Sequence, residues 1–153
     1  MGKTVAQNRK ARHDYSIEDT VEAGIALTGT EIKSVREGHV NLQDAYARIE
    51  HGEAWLVGAH VAPWSGGNRY NHEPKRDRKL LLHRGQIDQL AGRVKAKGFT
   101  LVPLSMYFND RGRAKVQLGL GRGKKAFDRR RDIAERDARR DMDREMADAH
   151  RGR

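Results

Sequence analysis

The sequence predicts a mainly β fold, a small antiparallel barrel that is closed or nearly so, with short helices at its ends. Three observations predict it. Apolar residues alternate with polar ones at period two in several stretches, the spacing of strands buried on one face. Gly-, Asn- and Asp-containing turns follow these stretches closely enough to make neighbours antiparallel. Only two short stretches of the first 121 residues carry helical periodicity. The sum, about five to six strands and two helices, favours closure because a closed sheet exposes no edge. Among such folds an oligonucleotide-binding-like barrel is the best match.

Composition narrows the partner. A chain of 153 residues suffices for one domain and little more. Its net charge of +10 calls for a polyanion, most simply nucleic acid, with an anionic membrane as the rival. No long apolar span, signal-peptide core or lipidation motif supports the membrane. The absence of Cys excludes disulfides and thiolate chemistry and fits a cytoplasmic protein. None of the seven His residues stands four from another, so no helical metal pair is expected. Residues 1–121 hold 19 cations and 13 anions, net +6, whereas residues 122–153 hold 12 and 8, net +4. Such dense mixed charge suits a solvated helix.

The elements follow in order. Residues 1–12, with Lys3, Arg9, Lys10 and Arg12, are expected to be a mobile basic arm, either solubilising or RNA-binding. In His13–Leu27 the apolar Tyr15, Ile17, Val21, Ala23, Ile25 and Leu27 share odd positions, which predicts a strand. Gly24 within it suggests a bend or bulge. Thr28 or Thr30 can cap a short helix with Ile32 and Val35 inward and Gly38 as its stop. Leu42–Ile49 and Ala54–Pro63 flank the turn His51-Gly-Glu and predict a hairpin, with Trp55, Val57, Ala59 and Val61 on one face. Trp64–Lys75 reads as a loop in which Arg69, Tyr70 and His72 can touch RNA or pack locally. Arg84–Lys97 carries Ile87, Leu90, Ala91 and Val94 at helical spacing and ends at Gly98. Phe99–Phe108 and Ala114–Leu120 flank Asn109–Arg113, another hairpin, closing a β-barrel domain over residues 13–121.

Residues 122–153 form a basic tail. The glycines 119, 121 and 123 predict a flexible joint. Arg122, Lys124, Lys125 and Arg129–Arg131, around the single ring Phe127, suit a phosphate-rich partner. Beyond them Ala134, Ala138, Met142 and Met146 make one thin stripe, and Glu135 and Arg139 stand at i, i+4. A helix with so little to bury is marginal alone, so disorder when free and helix when docked are expected.

The motifs weigh toward binding. Gly119–Lys125 fails the phosphate-loop pattern, since Leu118 and Lys125 stand where Gly and Ser or Thr are needed. No spacing places a nucleophile, a base and an oxyanion donor together, so no catalysis, metal or cofactor is expected. Glu31 and Lys33 can hydrogen-bond a base edge or ribose, or form a surface ion pair. Arg76, Arg78 and Lys79 can contact phosphates or be merely solvated. Of Tyr107 and Phe108, one must face outward and can serve as a stacking platform.

Four segments together, Asn8–Tyr15, Ala23–Arg36, Arg78–Leu82 and Gly123–Arg130, resemble the bacterial SsrA-binding proteins, the small protein B family. The resemblance spans nearly the whole chain in the right order. It implies an oligonucleotide-binding-like barrel whose C-terminal tail is unstructured in isolation. It implies binding to the tRNA-like domain of transfer-messenger RNA and delivery to ribosomes stalled on messages without a stop codon. Alanyl-tRNA synthetase and elongation factor Tu would act through the RNA. The tail would become a helix in the empty message channel, near the small-subunit decoding centre, and the protein would work as a monomer in the cytoplasm. Carried over by position, Asn8, Lys10, Glu31, Lys33, Ser34, Arg36, Arg78 and Lys79 would lie at or near the transfer-messenger RNA. Gly123, Lys124, Lys125, Phe127, Asp128, Arg129, Arg130 and Met146 would face the ribosome. Phe127 stands where relatives often carry His, and Glu145-Met146 where they offer two apolar residues. From the residues alone, a barrel-type ribosomal protein or translation factor with a general RNA-binding role is the alternative.

Overall fold

The computed structural model describes residues 3–66 and 71–124, the side chains of residues 96 and 97 excepted. The chain divides into two units, Met1–Arg122 and Gly123–Arg153. The tail expectations beyond Lys124, and those for Arg69 and Tyr70, lie outside the described residues. The described residues contain nine strands and three helices in the order β1 (Lys3–Gln7), α1 (Arg9–Asp14), β2 (Tyr15–Ile25), α2 (Gly29–Arg36), β3 (Val40–Asn41), β4 (Tyr46–Glu50), β5 (Glu53–Val57), β6 (His60–Val61), β7 (Arg78–Leu81), α3 (Arg84–Lys97), β8 (Thr100–Phe108) and β9 (Ala114–Gly123).

Closure rests on β8. Along one edge it pairs with β9, from Thr100 opposite Gly121 to Phe108 opposite Ala114. Its other edge is shared, taking β4 at Leu101 and β1 from Ser105 to Phe108. Because β9 also neighbours β2, the strands β8-β4-β5-β7-β2-β9 form a complete ring. Leu56, Val61, Leu104, Met106, Val116 and Leu118 are fully buried. The described residues are thus mainly antiparallel β-sheet with short helices, as the alternation predicts.

Several local expectations need correction. Lys3–Gln7 is a strand rather than a mobile arm, since Val5 and Ala6 pack on the core beside β8. Asn8 then caps α1: its Oδ1 accepts from Ala11 N–H at 3.0 Å. The hairpin forms over His51 and Gly52, both at positive φ, but its inward face is Ala54 and Leu56, not Trp55 and Val57. Gly58, at φ +82°, shifts the phase so that Ala59 and Val61 do face inward. α2 matches its expected span, with Thr28 as cap and Glu31 completing the capping box. α3 ends at Gly98, in the left-handed conformation that a Cβ disfavours.

The glycines of β9 are not a loose joint. A Cβ on Gly119 would stand 2.9 Å from Leu104 Cδ1, and one on Gly121 would stand 2.6 Å from the Ser16 carbonyl oxygen. They are small because strands crowd there. Gly24 likewise sits opposite Leu81 in an unshifted pairing with β7, and the Leu81 Cβ would be 3.1 Å from a Cβ on the glycine. Replacing Gly121 by Ala should therefore cost about 1–3 kcal/mol through overpacking. Gly29→Ala, which meets nothing within 4 Å, should be neutral or slightly stabilising. Urea denaturation of the two variants measures the contrast.

Candidate nucleic-acid interface

Strand alternation decides which groups reach the surface. In Leu80-Leu-Leu82 the first leucine points into the barrel and is buried, so the second must point out. Leu81 is 54% exposed, one of two large apolar side chains so displayed among the described residues. Gly24 opposite it carries no side chain to cover it. Leu81 lies in a groove of about 920 Å³ lined by β2, α2, β7, the start of α3 and the β8–β9 hairpin. Leu27, Ile32, Leu82 and Phe108 add apolar surface. Five cations, Arg36, Lys79, Arg84, Arg113 and Lys115, face two carboxylates, Glu22 and Glu53. An apolar floor within a net positive rim accepts an unstacked base and its phosphates together.

Two contacts arrange the groove's polar groups. Tyr107 donates its phenolic O–H to Glu22. Burial, and then the Glu22 carboxylate, pushes the phenol up to about 12, so it remains a donor at neutral pH. Arg36 lies over Phe108, 5.8 Å from the ring centroid, which leaves this ring beside a cation as stacking needs.

Beneath the groove is a buried ionic cluster. Glu31 and Arg78 are both fully buried, and Arg78 Nε donates to Glu31 Oε2 at 2.5 Å. Arg76 donates to both oxygens, from Nε at 2.9 Å and Nη2 at 2.5 Å. Thr28 N–H donates to Glu31 Oε1 at 2.8 Å. Arg78 spends its remaining hydrogens on the carbonyls of Ala59 at 2.8 Å and Pro74 at 3.0 Å. Burial pushes the Glu31 carboxyl up, but the hydrogen bonds of Arg76 and Thr28 and the charge of Arg78 outweigh it and hold it below the usual carboxylate range. Burial lowers the Arg78 value, with Glu31 opposing.

The sequence-predicted contacts therefore separate into two groups. Asn8, Glu31, Ser34 and Arg78 are buried. Glu31, expected as a base contact or a surface ion pair, forms an interior ion pair instead. Asn8 donates to Leu42 O at 2.8 Å and Pro103 O at 2.9 Å, and Ser34 donates to Ala62 O at 2.7 Å. Of the exposed four, Arg36 and Lys79 line the groove. Lys33 instead stands over Trp64, 4.1 Å from the ring centroid, and Lys10 pairs with Asp44 at 2.8 Å. His72 is held by Thr30 Oγ1 and Val61 O, which answers its loop reading in favour of local packing. Gly123 ends β9 and Lys124 is exposed, while Lys125, Phe127, Asp128, Arg129, Arg130 and Met146 lie outside the described residues. Glu22, Leu81, Arg84, Arg113 and Lys115 were missed; only Leu81 carried a signal, the middle place in a run of three leucines on a strand.

The cluster sets an acid limit. With its value depressed in the folded protein, Glu31 contributes stability that is complete above the ordinary glutamate value of about 4.3. That contribution fades as pH falls through the lower folded value. Glu31→Gln, which leaves Arg78 buried without its counter-charge, should cost about 3–5 kcal/mol at neutral pH. The gap between parent and variant should narrow as the pH drops below about 4. Urea titrations across that range test it; a gap that widens on acidification contradicts the assignment.

Among the described residues no helix is long and apolar enough to cross a membrane. A profile of the SmpB protein family matches residues 5–148. An SsrA-binding protein of Desulforamulus reducens is 58% identical over 144 residues, covering 94% of this chain and 89% of the relative. Those of Moorella thermoacetica and Symbiobacterium thermophilum are 57% and 58% identical, over 94% and 97% of this chain and 93% and 92% of theirs. A solved structure described as "tmRNA-SmpB: a journey to the center of the bacterial ribosome" matches with a TM-score of 0.67 and 55% identity. It covers 79% of this chain and 85% of that one.

Proposed function

The chain belongs to the SmpB protein family, and we propose that it binds the tRNA-like domain of transfer-messenger RNA and brings that RNA to stalled ribosomes. The observation that carries the proposal is the groove, where an exposed Leu81 and the ring of Phe108 lie among five cations. Relatives named SsrA-binding proteins and the neighbour described with tmRNA support the same ligand. Cations neutralise the backbone and supply most of the affinity, while apolar groups and Glu22 discriminate an unstacked, structured loop from plain duplex. Arg36 and Lys79 act as direct contacts; Asn8, Glu31, Ser34 and Arg78 act by holding the elements that bear them. Lys10 and Lys33, exposed outside the groove, extend the RNA-facing surface.

The division of labour follows from composition. Residues 13–121, with β1 and α1, hold the RNA. Of the basic region 122–153, Arg122 and Gly123 complete β9 and the rest is the tail that enters an empty message channel, with Gly123, Lys124, Lys125, Phe127, Asp128, Arg129, Arg130 and Met146 toward the decoding centre. Dense cations and weak self-burial favour ordering only where phosphate lines the walls. An occupied channel excludes the tail sterically. Elongation factor Tu and alanyl-tRNA synthetase act through the bound RNA, and the protein works as a cytoplasmic monomer by binding, without catalysis.

Gel-shift titration should show tighter binding to transfer-messenger RNA than to an ordinary transfer RNA. Equal affinities would instead favour a general RNA-binding ribosomal protein or translation factor. A chain truncated after Lys124 should keep its RNA affinity and lose tagging of stalled peptides. The cut belongs there because Gly121 and Arg122 are part of β9. Tagging by the truncated protein would remove the tail from its role.

A further inference from the structure

We propose that Arg76, which does not line the groove, is a positioning residue for RNA binding: it locks α2 to the 73–78 segment and so fixes the two facing walls of the groove. The inference rests on the RNA-binding reading above and deepens it. The groove's α2 wall carries Ile32 and Arg36, and its β7 wall carries Lys79 and Leu81. α2 is anchored on its other side by Val35 in the core and by Ser34 Oγ, which donates to Ala62 O next to β6. What joins it to β7 is Glu31, one turn before Val35, gripped from β7 by Arg78 and from the preceding segment by Arg76. The carboxylate also accepts the Thr28 N–H, and Arg76 Nη2 reaches toward the Ala26 carbonyl at 3.5 Å. The guanidinium thus ties the end of β2, the cap of α2 and the approach to β7 at one point.

Arg78 alone cannot do this. It engages Glu31 through Nε and gives its other nitrogens to Ala59 O, Pro74 O and Glu73 O, which anchors β7 to the β5–β6 connection. Arg76 forms a two-pronged pair with both carboxylate oxygens, the geometry that fixes orientation as well as distance. Its side chain is 34% exposed, whereas that of Arg78 is fully buried. Removing Arg76 therefore leaves the buried charge of Glu31 still paired, and the body keeps its fold while α2 loses its angular restraint.

Two full-length variants test this, Arg76→Gln and Arg76→Lys, with transfer-messenger RNA as the probe and affinity measured across a range of salt concentrations. Both should bind roughly fivefold to tenfold more weakly, because Lys keeps the charge but not the fork. The dependence of log affinity on log salt should keep the parent slope, since no phosphate contact is lost. A slope flatter by about 0.7 to 0.9 would make Arg76 a phosphate contact and overturn the inference. Unchanged affinity in Arg76→Gln, or full rescue by Lys, would overturn it as well. Amide hydrogen exchange without RNA separates this from the functional reading. Residues 29–36 and 78–81 should exchange faster in Arg76→Gln than in the parent, relative to β8 and β9. If they do not, the positioning role falls whatever the RNA does. If the parent itself does not prefer transfer-messenger RNA, it is the functional reading that falls.

Discussion

Everything in the body depends on β9 reaching two partners at once. It pairs with β8 along one edge and neighbours β2 along the other, and that double engagement turns a row of strands into a ring. Gly121 lets β2 approach β9 more closely than a side chain permits, since a Cβ there would meet the Ser16 carbonyl oxygen, and Gly119 leaves room for the side chains of Leu104 and Ile17. Closure leaves no sheet edge along the ring and gathers Leu56, Met106, Val116 and Leu118 into one core, with Leu104 in a smaller cluster beside Ala11 and Val102. It also decides what is left outside. With the barrel interior filled mainly by aliphatic side chains, the polar work of the protein falls to its helices, its hairpin ends, the outward residues of its strands and the one buried arginine of β7, Arg78.

On that scaffold a division appears between charges that hold and charges that meet a ligand. Glu31 and Arg78 satisfy each other below the surface, where an unpaired charge would be costly, and the partly exposed Arg76 closes the pair from outside. Arg36, Lys79, Arg84, Arg113 and Lys115 remain on the groove with their charge directed at solvent or at weak, exposed partners. Lys79, for example, is 3.9 Å from Glu53 with both side chains nearly half exposed, a pair that a polyanion can displace at little cost. A net positive rim beside a buried carboxylate held by two arginines thus separates affinity from architecture.

Legibility followed the range of the interactions. A threonine cap at 28 or 30, Gly38, the His51-Gly52 turn, Asn109–Arg113 and the span of α3 were readable, because caps, turns and helical stripes involve neighbours in sequence. The strand at β1 was not, because its partner β8 lies about a hundred residues away and its own composition is that of a solvated end. The inward face of β5 was misjudged because one left-handed residue, Gly58, reverses the alternation after it. Glycine in β9 was taken for freedom, whereas the packing of Ser16, Ile17 and Leu104 makes it a requirement for smallness.

The site divides along the same line. The amino-acid sequence by itself determined the β-rich class, the basic character, the separation of body from charged tail, and the family that those ordered segments resemble. Local periodicity and net charge are properties of the chain, and they survive without knowledge of contacts. Only the tertiary structure decided that Asn8, Glu31, Ser34 and Arg78 turn inward while Arg36 and Lys79 turn outward, and that Leu81 and Phe108 meet in one groove. A lysine, arginine or glutamate reads the same in sequence whether it binds a ligand or a neighbour. Which it does is set by distances between residues far apart in sequence, 47 positions for Glu31 and Arg78 and 85 for Glu22 and Tyr107, and those distances exist only after the ring has closed.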